Sequence, residues 1–279
     1  MNETSPQNRL AVCSWSLRPT DAADLVAKLE STGLPRTQIA LDPIRAAPDA
    51  WGDLADLCRE KGVELVSGMF GAIGEDYSSL ESIRRTGGVV PDETWSGNLT
   101  NITANAAIAE SLGLKLVTFH AGFLPEQEDD PKFTVLIDRI RQLADLFGER
   151  GMNLGFETGQ ERAGTLNHFL DRLERSNVGV NFDPANMLIY NMDEPVEALR
   201  ALAPRLLQCH IKDAVRPTGT GTKGGEVLAG EGEVNWPEFF AALLEVGYGG
   251  PLVIEREKGD RRVEDVRHAA ALVVRVAGN

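Results

Sequence analysis

Five short apolar runs in this sequence each stop on a side chain that can move a proton or hold a cation. LVTFH stops at His120, NLGFE at Glu157, VGVNFD at Asp183, LLQCH at His210 and LVIE at Glu255. A single acid in such a place is most often a helix cap or a loop hydrogen-bond acceptor. Five such residues at equivalent places in successive units ask for a shared purpose. Carboxylates together with an imidazole suit Mn²⁺, Mg²⁺, Co²⁺ or Zn²⁺. An all-oxygen calcium cage is disfavoured by His210, and a structural zinc site by the lack of cysteine ligands.

Side chains this far apart in the chain meet only if the fold brings them together. Eight apolar or β-branched runs read as buried strands: 10–16, 37–42, 63–67, 115–120, 153–157, 178–183, 206–211 and 251–255. Between them lie amphipathic stretches such as DAADLVAKLEST, FTVLIDRIRQLADLFGERG and WPEFFAALLEVG, with apolar residues at helical spacing. Asp21 and Thr165 read as N-caps, and Gly33, Gly62, Gly113, Gly151 and Gly247 stand where helices stop. Eight strands alternating with helices predict an α/β fold, a single-domain (β/α)8 TIM barrel over residues 1–279. An open doubly wound sheet would want a glycine-rich phosphate loop after its first strand, and CSWSLRPTD has no glycine. In a barrel the strand ends face one mouth, where active sites form. Two long connections, 69–94 and 214–235, leave from that same face and predict functional loops.

Composition narrows the partners. The 279 residues carry a formal charge of -14, which repels nucleic-acid phosphates and anionic lipid heads. Neither nucleic acid nor a membrane is an expected partner. MNETSPQNRL has no apolar signal core, and no apolar run is long enough to span a bilayer. Cys13, Cys58 and Cys209 sit in apolar patterns and read as buried free thiols in a reducing compartment. The expected location is cytoplasmic, and a homo-oligomer is compatible with the sequence.

In the segments NLGFETG, VNFDPANM, CHIKD, GEGEVNW and LVIERE, taken in this order, the sequence resembles the xylose isomerase-like barrel superfamily. Within it the likeness is to the sugar phosphate isomerase/epimerase group that includes D-tagatose 3-epimerase, and more distantly to endonuclease IV. The resemblance covers nearly the whole chain. It implies that Glu157, Asp183, His210 and Glu255 bind one divalent metal, and that Glu157 and Glu255 are the acid–base pair. Mn²⁺ is the expected ion for an oxygen-rich site with one imidazole, ahead of Mg²⁺, Co²⁺ and Zn²⁺. The resemblance also implies that Arg216, six residues after His210, grips substrate oxygens. The epimerases keep a histidine three residues after the metal aspartate, where this chain has Asn186. An amide can hydrogen-bond a hydroxyl but cannot shuttle a proton. Endonuclease IV needs three metals, and the four histidines here, His120, His168, His210 and His268, cannot supply that site.

The implied chemistry is proton transfer next to the carbonyl of a small sugar or keto-sugar, through a cis-enediolate. Isomerase or epimerase activity in carbohydrate metabolism is the leading expectation. A lyase or dehydratase acting on a keto-sugar or inosose is the alternative, and a non-catalytic sugar-binding barrel is a third reading. His120 reads either as a substrate or supporting contact or as a core histidine. Lys212 reads as meeting a substrate oxygen or pairing with a metal carboxylate. Trp15, Phe70 and Trp236 read as core or lid packing ahead of a sugar-stacking wall. Asp213 reads as a loop cap, and Glu257 as solvated or paired with Arg256.

Overall fold

The computed structural model describes residues 6–219 and 221–277. The expectation drawn from the first ten residues rests partly on residues 1–5, which lie outside that set. The strands are β1 (Leu10–Cys13), β2 (Arg36–Ala40), β3 (Glu64–Met69), β4 (Leu116–Phe119), β5 (Asn153–Glu157), β6 (Val178–Phe182), β7 (Leu206–Ile211), β8 (Asp213–Val215), β9 (Gly225–Val227) and β10 (Leu252–Ile254). Eight of them close into a parallel barrel in the order β1-β10-β7-β6-β5-β4-β3-β2. The other two, β8 and β9, pair antiparallel as a hairpin. Each barrel strand is covered outside by helices and inside by its neighbours' side chains. That is why β1 and β4 are buried at every position and read as unbroken apolar runs.

The helices follow their apolar stripes. Helix Ala22–Thr32 buries Leu25, Val26 and Leu29, starts where the Asp21 carboxylate accepts from Asp24 N–H, and ends at left-handed Gly33. Helix Pro131–Gly148 buries Leu136, Ile140, Leu143 and Phe147 along one face. Phe147 stacks on Phe70, which stacks on Phe119, so an aromatic ladder joins this helix to the barrel. No helix among the described residues is long and apolar enough to cross a membrane. All three cysteines are free and buried.

Three local expectations change. The first strand stops at Cys13, and Ser14–Leu17 turns into a short helix that carries Trp15 over the barrel mouth. Thr165 lies inside helix Ala163–Leu173, not at its cap. The Ala163 N–H is instead met by the carboxylate of Asp193, 2.7 Å away, so a distant acid does the capping. The two long connections hold secondary structure of their own. The first contains helix Leu80–Thr86 and the start of helix Asp92–Ser111, and the second contains the β8–β9 hairpin. Asp213 anchors that hairpin, accepting from the backbone of Gly230, Gly232 and Val234 and from the Trp236 indole.

Candidate metal centre

Glu157 ends β5, Asp183 directly follows β6, His210 lies in β7 and Glu255 directly follows β10. These four strands are consecutive in the barrel, so their ends form one arc of the mouth. One ligand atom from each residue lies within 4.8 Å of the other three. His210 Nδ1 is 3.3 Å from Glu255 Oε2, 3.5 Å from Glu157 Oε1 and 3.7 Å from Asp183 Oδ2.

Asp183 serves two purposes at once. Its Oδ1 caps helix Pro184–Ile189 through the N–H groups of Ala185 and Asn186. Its Oδ2 is buried and accepts no hydrogen bond, and His210 Nδ1 is orphaned in the same way. Two unsatisfied lone-pair donors facing each other in a dry site are costly unless a cation sits between them. The set therefore fits a divalent ion.

The charge balance agrees. Burial opposes ionisation throughout. At Glu255 it is outweighed by Lys212 and His210, which hold the carboxyl well below its ordinary range. At Glu157 it is outweighed by His120 and His210, again lowering the carboxyl. At Asp183 burial prevails over Lys212 and raises the carboxyl. The cluster is short of positive charge, and the shortage falls on the residue with the orphaned oxygen.

Beneath the ligands lies a hydrogen-bonded layer of strand side chains. Asn181 Nδ2 donates to Glu157 Oε2, which can only accept. That directs Asn181 Oδ1 toward Gln208 Nε2, which also reaches Gln38 Oε1 at 2.9 Å. Gln38 Oε1 in turn lies 2.9 Å from His210 Nε2, a shorter contact than those of the Asn181 and Gln208 amide nitrogens at 3.1 and 3.4 Å, and it favours a proton on Nε2. Nδ1 faces the three carboxylates; burial lowers the imidazole pKa, but Glu157 and Glu255 raise it well above its ordinary range, so that this nitrogen holds a proton unless a metal cation takes its lone pair. Ser67 and Thr118 complete the layer by bonding Gln208 and Gln38.

A cavity of about 460 Å³ opens above the ligands, lined among others by Trp15, Tyr77, His120, Asn186 and Lys212. The family model for the xylose isomerase-like TIM barrel matches residues 6–275. The chain belongs to that family. A xylose isomerase domain protein from Planctomyces limnophilus has a similar structure, with TM-score 0.82 and 29% identity, covering 91% of this chain and 93% of that one. Inosose dehydratase of Geobacillus kaustophilus (strain HTA426) is 25% identical over 71% of this chain and 68% of its own length. The 3-keto-D-glucoside 4-epimerase YcjR of Escherichia coli shares the fold at 14% identity, with TM-score 0.72 over 95% and 98% of the two chains. The chain spans about half the length of most of the curated relatives it matches.

Around this family's barrel mouth, the structure brings some of the expected substrate contacts together and leaves one apart. His120 Nε2 is 3.6 Å from Glu157 Oε1, and Asn186 Nδ2 donates to the same oxygen at 3.1 Å. Lys212 is 3% exposed, donates to Glu255 Oε2 at 2.8 Å and Glu257 Oε2 at 2.6 Å, and lies 3.7 Å from Asp183 Oδ2. Arg216 does not line the cavity. It directly follows β8, and its guanidinium is held by Asn191 and Glu194.

Two side-chain readings are revised. Trp15 lines the cavity, and its indole N–H donates to Glu255 Oε1 at 2.7 Å. Glu257 pairs with Lys212, while Arg256 pairs with Glu226 and Asp265. Phe70 and Trp236 are buried, and Phe70 also lines the cavity. Gln38, Asn181 and Gln208 escaped the sequence reading. Their signal was an amide interrupting an otherwise apolar strand, in RTQIA, VGVNF and LLQCHI.

Proposed function

We propose that this protein is a divalent-metal-dependent isomerase or epimerase that moves a proton on the carbon beside a sugar or keto-sugar carbonyl. The observation that carries this reading is the pair of orphaned atoms, His210 Nδ1 and Asp183 Oδ2, set between two glutamates at the floor of a cavity. Glu157, Asp183, His210 and Glu255 would hold the ion, with Mn²⁺ favoured by the donor set. When bound, it supplies Lewis-acid stabilisation of the negative charge that develops on the substrate oxygen.

The protein's own groups do the rest. One of Glu157 and Glu255 takes the proton from carbon, leaving an enediolate, and the other returns a proton to the opposite face or to the neighbouring carbon. Return to the same carbon inverts it, and return to the next gives aldose–ketose exchange. Asn186 steadies Glu157 through Oε1, and Trp15 and Lys212 hold the two oxygens of Glu255. Lys212 also faces the cavity, placed to meet oxyanion charge.

The test is solvent exchange. Incubated with Mn²⁺ and a panel of ketoses and 3-keto sugars in D₂O, the protein should place deuterium next to the carbonyl, and chelator should stop it. Absence of exchange across the panel with metal bound would overturn the reading.

A second reading is a dehydratase, supported by the likeness to inosose dehydratase of Geobacillus kaustophilus (strain HTA426) and kept open by Asn186. In an elimination one glutamate removes the proton from carbon, and the other gives a proton to the hydroxide leaving the next carbon, so that water departs. Neither step needs a shuttling histidine at position 186. The same assay separates the two, because elimination gives an ultraviolet-absorbing unsaturated ketone and irreversible loss of substrate.

A further inference from the structure

The chain has seven lysines, and three of them, Lys212, Lys223 and Lys258, line the single cavity above the metal ligands. None of the 21 arginines does. Five carboxylates line the same cavity, those of Asp42, Glu75, Glu226, Glu255 and Glu257, so what matters is which of these charges are already paired.

Their partners differ. Lys212 is committed to Glu255 and Glu257. Among the described residues Lys223 donates to the main-chain oxygen of Tyr77 and to no carboxylate. Among the described residues neither Lys223 nor Lys258 has a carboxylate within ion-pair distance. Lys115 and Lys132 also lack an ion pair, but neither lines this cavity.

The acids of the same rim are already satisfied. Glu226 accepts from Arg256 and from the N–H groups of Glu257 and Lys258. Glu75 accepts from the Tyr77 hydroxyl and from the N–H groups of Ala72 and Gly88. The two lysines come from different segments that the hairpin brings together. Lys223 precedes β9, and the Lys258 ammonium lies 3.9 Å from where a Cβ would stand on Gly225. The ammonium thus lies over the glycine that starts β9, where no side chain stands.

We infer that the substrate carries an anionic group, a carboxylate or a phosphate, at the end remote from the reacting carbonyl, and that Lys223 and Lys258 receive it. The substrate class is an acidic keto-sugar. This rests on the proton-transfer reading for the reacting end, and binding to the lysines is measurable without turnover.

Binding is read by calorimetry on the full chain loaded with Mn²⁺, using D-glucitol, D-gluconate and D-glucitol 6-phosphate. The acidic ligand should bind about tenfold tighter than glucitol at low ionic strength, and the advantage should shrink with salt. A preference for gluconate alone assigns a carboxylate, and a preference for the 6-phosphate alone assigns a phosphate. In Lys223→Met/Lys258→Met the preference should disappear, whereas an anion held by the metal would keep it. Equal affinity for all three ligands, or a preference that survives the double substitution, overturns the inference. Turnover gives an independent arm, the kcat/KM ratio of fructose 6-phosphate or fructuronate to fructose. If no sugar exchanges its proton but the lysine-dependent preference is present, the reaction reading fails and this one stands.

Discussion

Gln38 Oε1 lies 2.9 Å from His210 Nε2, and the two side chains come from β2 and β7, which are not neighbours in the barrel. The contact crosses the barrel interior. It is the last link of a relay that starts at the acceptor-only carboxylate of Glu157 and ends at the imidazole, where it favours a proton on Nε2.

Replacing Gln38 by leucine removes the acceptor and releases the tautomer. Loss of such a supporting hydrogen bond weakens metal binding roughly 10–100-fold. Gln38→Glu keeps an acceptor and should restore affinity to near the starting value, with the Thr118 hydroxyl turning to donate. Mn²⁺ titration of both variants, with circular dichroism to confirm folding, checks this. A leucine variant that binds Mn²⁺ as tightly as the parent would show that the relay does not set the tautomer.

Glu157→Gln and Glu255→Gln each remove one proton acceptor while keeping a hydrogen-bonding group of the same shape. General acid–base assistance contributes about 10²–10⁴-fold, so each variant should lose exchange activity by that order. The measurement is deuterium incorporation with Mn²⁺ occupancy confirmed by elemental analysis. Near-parental exchange in either loaded variant excludes that glutamate from the chemistry.

The strand-end residues were legible because a buried parallel strand reads as an apolar run, and its last residue is where the run breaks. The barrel closure followed from eight such runs alternating with helical stripes. The interior layer was not legible. Gln38 and Gln208 look like tolerated polar defects until closure puts them on the same inner face. Trp15 was hidden for another reason: only the short helix after β1 lays its indole on Glu255. Arg216, expected at the substrate from the family resemblance, lies outside the cavity lining and is held by Asn191 and Glu194, a placement that its position in the chain does not reveal.

Gly159 has φ +147°, and a Cβ there would stand 2.5 Å from the Cβ of Asn186. Both the backbone and the contact forbid a larger residue. Gly159→Ala should push Asn186 away from Glu157 and break their 3.1 Å hydrogen bond. A hydrogen bond to a charged group is worth about 1.5–3 kcal/mol, which corresponds to roughly a 10–100-fold loss of kcat. Asn186→Ala should lose a similar factor, and the double variant little more, because both act on one contact. Fully multiplicative losses in the double variant would separate the two residues.

Glu161 supplies a pH test away from the ligands. It is 8% exposed and lacks a basic partner among the described residues, and burial pushes its carboxyl up to about 8 despite a hydrogen bond from the Gly159 N–H. In the unfolded chain a glutamate ionises near 4.3. Between those two values the folded state holds the proton and the unfolded state has released it. The folded state then binds more protons, so stability falls as pH rises from about 4.3 to about 8 and levels off above. Glu161→Gln stays neutral throughout and removes this loss. The variant should melt close to the parent at pH 4.5 and several degrees higher at pH 8.5, at roughly 2 °C per kcal/mol for a chain of this size. Melting curves of both proteins across that range decide it: a difference that stays constant with pH would mean that Glu161 is already ionised in the folded protein.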